Sequence, residues 1–574
     1  MKILFVNPPI KGWTTHGDHC APNQFHAQLI AYVREKDLAE PYAIDCRGEK
    51  LNIEMMLERI QEINPDVIFL GEILHSTAGF APIWYFLDTA KKVKAVLPEV
   101  KIAVGGLWFS ATYKETLLEN PAVDYVIVGE AELTLEELLV DLKNKKEDFS
   151  EVAGLASRKD SEVVIGPHRS LIQNLDVLPT PAYDLFPMEN YVGHSYWKPF
   201  AELMTSRGCP GGCGFCYEWS QYDTRSPLDF TSWRIKSPNK ILDELEVLNK
   251  THGVNEIVFQ DDAFNVNKDI VIDVCKGMIK RKIDMHWVIL GRADDWVNQL
   301  DILPLMKEAG MFMGLLGVEV ASDEELLRLG KKISTKQIIQ TIRALRKEHV
   351  MSIGTFMIGF EDDNEVSVKK RFEFAEEADP DIFALQFFTP VPGSPYWEKY
   401  IKSGWIDPVN LDLRKWDFQH PVIPTNHCSK DDIGRLGAWC VREFFGKPER
   451  VDRLFNEPYH ELAKLCVKDY IENIRSYESQ LTEDDAPVKV IWDPQVKDIF
   501  KLAISNMPLF QRRIAEKLVR QKAEYLVKSG GLPLVTEKEM VLSFFSEVPK
   551  PFKKLMKSLL RGVNVDYTKY VDED

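Results

Sequence analysis

Unbroken apolar runs alternate with amphipathic stretches over residues 1 to about 145. KILFVN, DVIFLG (66–71), KIAVGG (101–106) and DYVIVG (124–129) are short and end in Asn or Gly. Between them, residues 53–63, 83–97 and 133–142 repeat apolar positions at helical spacing. Strands covered on both faces lose their two-residue alternation, so this pattern predicts an α/β fold that opens with a doubly wound, Rossmann-like parallel sheet. A second alternation runs from about 198 to 400. Its expected strands lie at 202–206, 256–260, 286–290, 313–320, 352–359 and 383–388, with helical stretches such as 240–248 and 336–346 between them. That succession predicts a (β/α) barrel or part of one. The proline-bearing tract LPTPAYDLFPMENY (178–191) reads as a strap between the two. Beyond about 405 the pattern is mostly helical, and the acidic stretch TEDDAP (482–487) sets off a final segment. The expected division is a first domain over 1–145, a linker over 146–197, a barrel over 198–400, a helical extension over 401–485 and a small helical module over 486–574.

Ligands of doubly wound sheets bind at the carboxyl ends of the strands. In the first domain those ends carry Asn7-Pro8-Pro9, the loop from Gly71 to Thr77, Gly105-Gly106 and Gly129-Glu130. Four such loops on one edge predict a ligand crevice.

Composition narrows the function. Hydrophobic residues make up 45% of the 574 and charged residues 28%, which excludes a wholly disordered chain. A net charge of -17 argues against a broad electrostatic grip on nucleic acid. No apolar run reaches the roughly 18 residues a membrane span needs. The opening MKILFVNPPI is too short for a signal peptide and reads as a strand, so the expected location is the cytoplasm. Of nine cysteines, Cys20, Cys46, Cys275, Cys428, Cys440 and Cys466 are scattered, whereas Cys209, Cys213 and Cys216 fall within eight residues. In a chain read as cytoplasmic, that cluster points to metal binding.

The cluster lies in SRGCPGGCGFCY (206–217), directly after an expected strand. Three thiolates on one tight loop can hold three irons of a [4Fe–4S] cluster and leave the fourth without a protein ligand. Gly208, Gly211, Gly212 and Gly214 let the backbone wrap closely around the sulfurs. A structural zinc site wants four ligands in paired spacing, and the next cysteine downstream is Cys275.

The CxxxCxxC pattern of Cys209, Cys213 and Cys216 after the first barrel strand resembles that of the radical S-adenosylmethionine (SAM) enzymes. The resemblance implies that the open iron is chelated by SAM. It further implies that one electron from the cluster, supplied to it by a low-potential donor, cleaves SAM to a 5′-deoxyadenosyl radical, which takes a hydrogen atom from substrate. Phe215 resembles the residue whose backbone meets the adenine, and Tyr217 joins it in the implied cofactor site. Gln260, Asp261 and Asp262 look like the segment that holds the SAM amino group; two acids ending an apolar strand also sit where barrel ligands bind. Arg292, in LGRAD (290–294), resembles the TRxD segment. Glu319, in GVEVAS (317–322), resembles that of GxESGS, with Val320 and Ala321 departing from the pattern. Residues 357–360 and 389–394 fit the later strands.

A doubly wound domain ahead of such a barrel resembles the cobalamin-binding domain of the B12-dependent branch of this family. The matching pieces are Asn7-Pro8, Ser76-Thr77, Gly105-Gly106-Leu107-Trp108 and the run 123–130 ending in Gly129-Glu130. The DxHxxG motif of classical cobalamin enzymes is absent from the sequence: only Asp284-Met285-His286 has the DxH spacing, and Ile289 stands where Gly is needed. The resemblance therefore implies cobalamin bound without such a ligand, the loop after the third strand facing its lower side and His75 the candidate residue there. From Trp492 onward the tail resembles the C-terminal module of the light-independent protochlorophyllide reductase B subunit, with Trp492, Pro508, Phe510 and Arg513 matching.

The implied activity is that of a cobalamin-dependent radical SAM methyltransferase acting on an unactivated carbon through methylcobalamin. Catalysis is then mainly positioning of cofactors, and no general acid or base is singled out. Two other readings stay open: a cyclase or rearrangement enzyme acting on a tetrapyrrole, like the anaerobic magnesium-protoporphyrin monomethyl ester cyclase, and a non-catalytic cobalamin sensor or carrier. A tetrapyrrole, a peptide or protein side chain, a lipid and a natural product all remain candidate substrates.

Overall fold

The four apolar runs of the N-terminal region become parallel strands of one sheet: β1 (Lys2–Asn7), β3 (Val67–Gly71), β4 (Lys101–Gly105) and β5 (Tyr125–Ile127). The computed structural model describes residues 1–10, 19–71, 79–159, 162–193, 197–218, 233–408, 410–484, 491–506, 519–520, 522–524, 526–527, 534–547, 553–563 and 565–571. The first sheet has seven strands in the order β2-β1-β3-β4-β5-β6-β7. The edge strand β2 (Glu40–Asp45) carries Pro41 and is half exposed, so it lacks the solid apolar signature; an edge is where a strand proline is tolerated. At the other edge, β6 (Leu155–Lys159) and β7 (Glu162–Ile165) add on antiparallel. These two lie in the stretch expected to be a linker, and their polar side chains hide them. Ile3, Leu4, Phe5 and Val6 are fully buried, as are Ile68, Phe69 and Leu70. Each such side chain contributes about 1.5–3 kcal/mol of burial. Helices Ile53–Ile63, Pro82–Val96 and Glu132–Lys143 cover the faces, and the first is capped by Asn52, whose side chain accepts from Met55 N–H.

The second sheet has six parallel strands in the order β15-β14-β13-β12-β11-β8. They are β8 (Phe200–Leu203), β11 (Glu256–Phe259), β12 (His286–Arg292), β13 (Met311–Glu319), β14 (Met351–Ile358) and β15 (Ile382–Phe387). The expected barrel is thus an open one, with β8 and β15 as its edges. Its helices start on built caps: Ser334 and Gln337 form a capping box ahead of Thr335–Lys347, and Asn364 and Ser367 do so ahead of Glu365–Ala378. The expected strand 202–206 is broken after Leu203. Ser206 and Arg207 instead form β9 (Ser206–Arg207), which pairs antiparallel with β10 (Arg234–Ile235).

Both sheets belong to one compact unit, Met1–Glu478, through which a single apolar core runs from Ile3 to Tyr470. The expected divisions at 145, 197 and 400 do not interrupt that core. A segment beyond the second sheet ties the two together: Phe80 N–H donates to Trp416 O and Phe387 N–H to Phe418 O, both at 2.8 Å. Trp397 packs edge-on against both Trp108 (6.0 Å) and Trp416 (6.3 Å).

The second unit, Ser479–Asp574, has its own core of Phe500, Val541, Phe544 and Leu560. Its helices Pro494–Ser505, Glu537–Glu547 and Lys553–Gly562 accompany a short parallel pairing of Ile491 with Leu534 and Trp492 with Val535. The Trp492 indole donates to Glu524 at 3.0 Å; Pro508, Phe510 and Arg513 lie outside the described residues. Among the described residues no helix is long and apolar enough to cross a membrane.

Candidate active site

The cysteine loop leaves directly from β9. Cys209 and Cys213 are buried and Cys216 is half-buried. The backbone turns tightly here: Cys216 N–H donates to Cys213 O at 3.1 Å, and Gly211 N–H reaches the Cys209 sulfur at 3.4 Å. Burial pushes the Cys209 thiol up to about 11, although Arg292 and the Gly211 N–H pull the other way. Burial, Glu218 and the other two cysteines together raise Cys216 as well, so the three sulfurs feel one another. Metal binding takes such thiols as thiolates and releases their protons. The donor set is three soft sulfurs with no imidazole in the loop, which fits an iron–sulfur cluster with one iron left open. Among the described residues no three His, Cys, Asp or Glu converge on a single ion, a geometry that a cluster, whose thiolates each take a different iron, does not need. The loop glycines differ in their reasons. A Cβ on Gly211 would lie 1.6 Å from Arg292 Nη1, whereas one on Gly212 would meet nothing within 4 Å.

The ends of β11, β12 and β13 surround this loop with charges that already have partners. Asp261 is buried. It accepts from Thr205 N–H (2.7 Å), Thr205 Oγ1 (3.0 Å), Ser206 Oγ (2.7 Å) and Ser206 N–H. It thereby fixes the turn between β8 and β9, and Asp262 is the acid that opens on the crevice. Burial pushes Asp261 up to about 6, against the pull of those four donors. Asp262 accepts from Tyr217 Oη at 3.0 Å, while the neighbouring Gln260 Oε1, at the strand end, is buried with no hydrogen-bond partner among the described residues. Arg292 donates to Asp294 at 2.6 Å. Glu319 sits at φ +68 and accepts from Lys331 Nζ at 2.9 Å; that ammonium also donates to Gly317 O at 2.6 Å. Lys331 is buried and the adjacent Lys332 exposed, a distinction the sequence does not carry. Phe215 packs edge-on against Phe360 at 6.3 Å.

The first sheet ends differently. Asn7 is buried with its amide donating to Asp45 at 3.1 Å, beside the buried Pro8. Gly106 has φ +115 and starts the short helix Leu107–Ala111, in which Leu107 and Trp108 are buried. Gly129, at φ +83, donates its N–H to Ser110 Oγ at 3.0 Å, and Ser110 in turn donates to Gly106 O at 2.8 Å. A Cβ on Gly105 would crowd the Phe69 ring at 2.9 Å. His75, Ser76 and Thr77 lie outside the described residues.

Glu130 and Glu132 bind the two halves. Arg207, two residues before Cys209, reaches Glu130 at 3.0 Å and the fully buried Glu132 at 2.5 Å. Arg234 reaches Glu130 at 2.8 Å, and Ile172 N–H donates to the same carboxylate at 2.6 Å. Burial opposes the charge on Glu130, but Arg207, Arg234 and that N–H outweigh it and hold the carboxyl below its usual range. Sequence reasoning missed both arginines, because the pairings span 75 and 104 residues. The outcome is one crevice with Gly106, Leu107, Ser110 and Gly129 on one side and Met204, Arg207 and Asp262 on the other.

Comparison with known proteins gives the family of each half. The B12 binding domain family matches residues 22–139 and the Radical SAM superfamily matches residues 203–375. An uncharacterized methyltransferase of Pyrococcus horikoshii is 31% identical over 469 residues, 82% of this chain and 97% of its own. An anaerobic magnesium-protoporphyrin IX monomethyl ester cyclase of Rubrivivax gelatinosus is 24% identical over 539 residues, covering 92% of each chain. Among solved structures, the cobalamin-dependent SAM radical enzyme OxsB, with aqua-cobalamin and SAM bound, shares the fold. Its TM-score is 0.61 at 17% identity, over 99% of this chain and 81% of that one. With both family matches in this order and a relative aligned over nearly its whole length, the chain belongs to the B12-binding radical SAM family.

Proposed function

We propose that the protein transfers a methyl group from SAM, by way of cobalamin, to an unactivated carbon of its substrate. The observation that carries this reading is the shared crevice, in which the glycine-lined end of the first sheet faces the cysteine loop side of the second. When bound, the cluster and SAM supply a 5′-deoxyadenosyl radical, and cobalamin supplies the methyl group. The chain's own task is to hold these groups. Cys209, Cys213 and Cys216 take the cluster. Phe215, Tyr217, Gln260, Asp262, Arg292 and Glu319 line the SAM side, with Asp261 fixing the loop that leads to it. Asn7, Pro8, Gly105, Gly106, Leu107, Trp108, Gly129 and Glu130 would shape the cobalamin side. Excluding water from such a crevice protects a carbon radical from side reactions. A low-potential electron donor is the partner this chemistry requires, and the cytoplasm is the proposed location.

A second reading has its own support. The cyclase relative aligns over 92% of this chain and so reaches into the second unit, whereas the methyltransferase relative aligns over 82%. The test is product analysis on protein reconstituted without oxygen with iron, sulfide and cobalamin, then reduced and given SAM. Methyl transfer predicts S-adenosylhomocysteine formed only when cobalamin is present, alongside 5′-deoxyadenosine. Cobalamin uptake with 5′-deoxyadenosine alone favours the cyclase reading. Absence of cobalamin uptake overturns both.

A further inference from the structure

Arg292 ends β12 with three of its nitrogens engaged. Nη2 donates to Asp294 Oδ2 at 2.6 Å, and Nε lies 3.6 Å from Asp295 Oδ2. Nη1 points at the Cys209 sulfur, 3.9 Å away. The cysteine loop is shaped to admit this group. A Cβ on Gly211 would lie 1.6 Å from Nη1 and 2.8 Å from Cζ. The Gly211 backbone does not need glycine for its conformation, since its φ is not positive. The requirement at that position is therefore space for the guanidinium. Two carboxylates anchor the far side of the group, so it cannot swing away from the sulfur without losing both.

We infer that Arg292 sets the reduction potential of the cluster proposed for Cys209, Cys213 and Cys216. Reduction adds one negative charge to the cluster. A fixed, largely desolvated cation donating to one of its thiolates stabilises the reduced form over the oxidised one. The Arg292 side chain is only 14% exposed, so water screens this interaction weakly. Asp294 holds the guanidinium in place and offsets part of its charge. This role differs from direct contact with SAM, and it acts before SAM binds. It rests on the cluster reading above.

The test is a redox titration of the full chain, reconstituted with iron and sulfide and kept free of SAM, with the reduced cluster followed by electron paramagnetic resonance. Arg292→Gln is expected to move the midpoint to a more negative potential at unchanged iron content. Arg292→Lys keeps the charge but loses the fixed fork, so its midpoint is expected between those of Arg292→Gln and the wild type. Asp294→Asn keeps an acceptor for Nη2 but removes the charge that offsets the guanidinium, so its midpoint is expected at a more positive potential. If Arg292→Gln fails to hold a cluster, Asp294→Asn decides: a positive shift supports the inference and an unchanged midpoint overturns it. Wild-type midpoints in loaded Arg292→Gln and loaded Asp294→Asn also overturn it and leave Arg292 to SAM. A wild-type chain that takes up no cluster overturns the underlying reading and the inference with it.

Discussion

At the end of the first sheet the working parts are gaps, and at the end of the second they are charges. Gly71, Gly106 and Gly129 have φ of +150, +115 and +83, and a Cβ on Gly71 would lie 2.1 Å from Gly105 O. Positive φ and close backbone contact between neighbouring strands require glycine at these ends. At the second sheet Asp261, Arg292 and Glu319 each stand in a fixed pairing, with Thr205 and Ser206, with Asp294, and with Lys331. One edge is built from tight backbone turns and the other from paired charges. The difference suits a bulky corrin on one side and a charged, redox-active group on the other.

The largest effect expected is that of Cys213→Ala. It removes one of the three proposed iron ligands and should abolish 5′-deoxyadenosine formation and cluster iron, while cobalamin uptake stays near wild type. Metal analysis and product chromatography would check both halves of the contrast. Next comes the link between the regions. Arg207→Met strands the fully buried Glu132 and should destabilise the first unit by about 3–5 kcal/mol, read from urea unfolding. Adding Glu132→Gln should restore part of that loss. Gly106→Val tests the tight backbone turns. A β-branched residue at φ +115 is strained by about 1–3 kcal/mol. If that strain falls on the bound form, cobalamin affinity drops roughly tenfold to a hundredfold, with cluster iron unchanged.

The smallest expected effect is a pH slope. Asp261 rises from 3.8 to about 6 on folding, so between those values the folded chain binds the proton more tightly than the unfolded one. Stability from this group is therefore present at low pH and lost as pH rises through about 6. Urea midpoints across that window should show a downward slope in wild type that Asp261→Asn lacks.

The contrast also explains what could be read from the sequence. β1, β3, β4 and β5 are buried on both faces and show as solid apolar runs, whereas β2, with Pro41 at an exposed edge, does not. β6 and β7 carry Arg158, Lys159 and Glu162 and look like connector. The cysteine triad declares itself by spacing. Its supports do not, because their meaning arises only when distant segments meet. Lys331 is indistinguishable from Lys332 until Glu319 is beside it. The glycine at 211 looks like the one at 212 until Arg292 fills the space. Arg207 and Arg234 look like surface charges until Glu130 and Glu132 arrive from the other sheet.

The central claim is that the two differently built edges serve one site. The most direct measurement is electron paramagnetic resonance on chain loaded with both cob(II)alamin and cluster, comparing the cob(II)alamin signal with the cluster oxidised and reduced. The account predicts dipolar broadening and faster relaxation of the cobalt signal when the cluster is reduced, with neither change in Cys213→Ala. A cobalt signal indifferent to the cluster's oxidation state, with both groups bound at full occupancy, would contradict it.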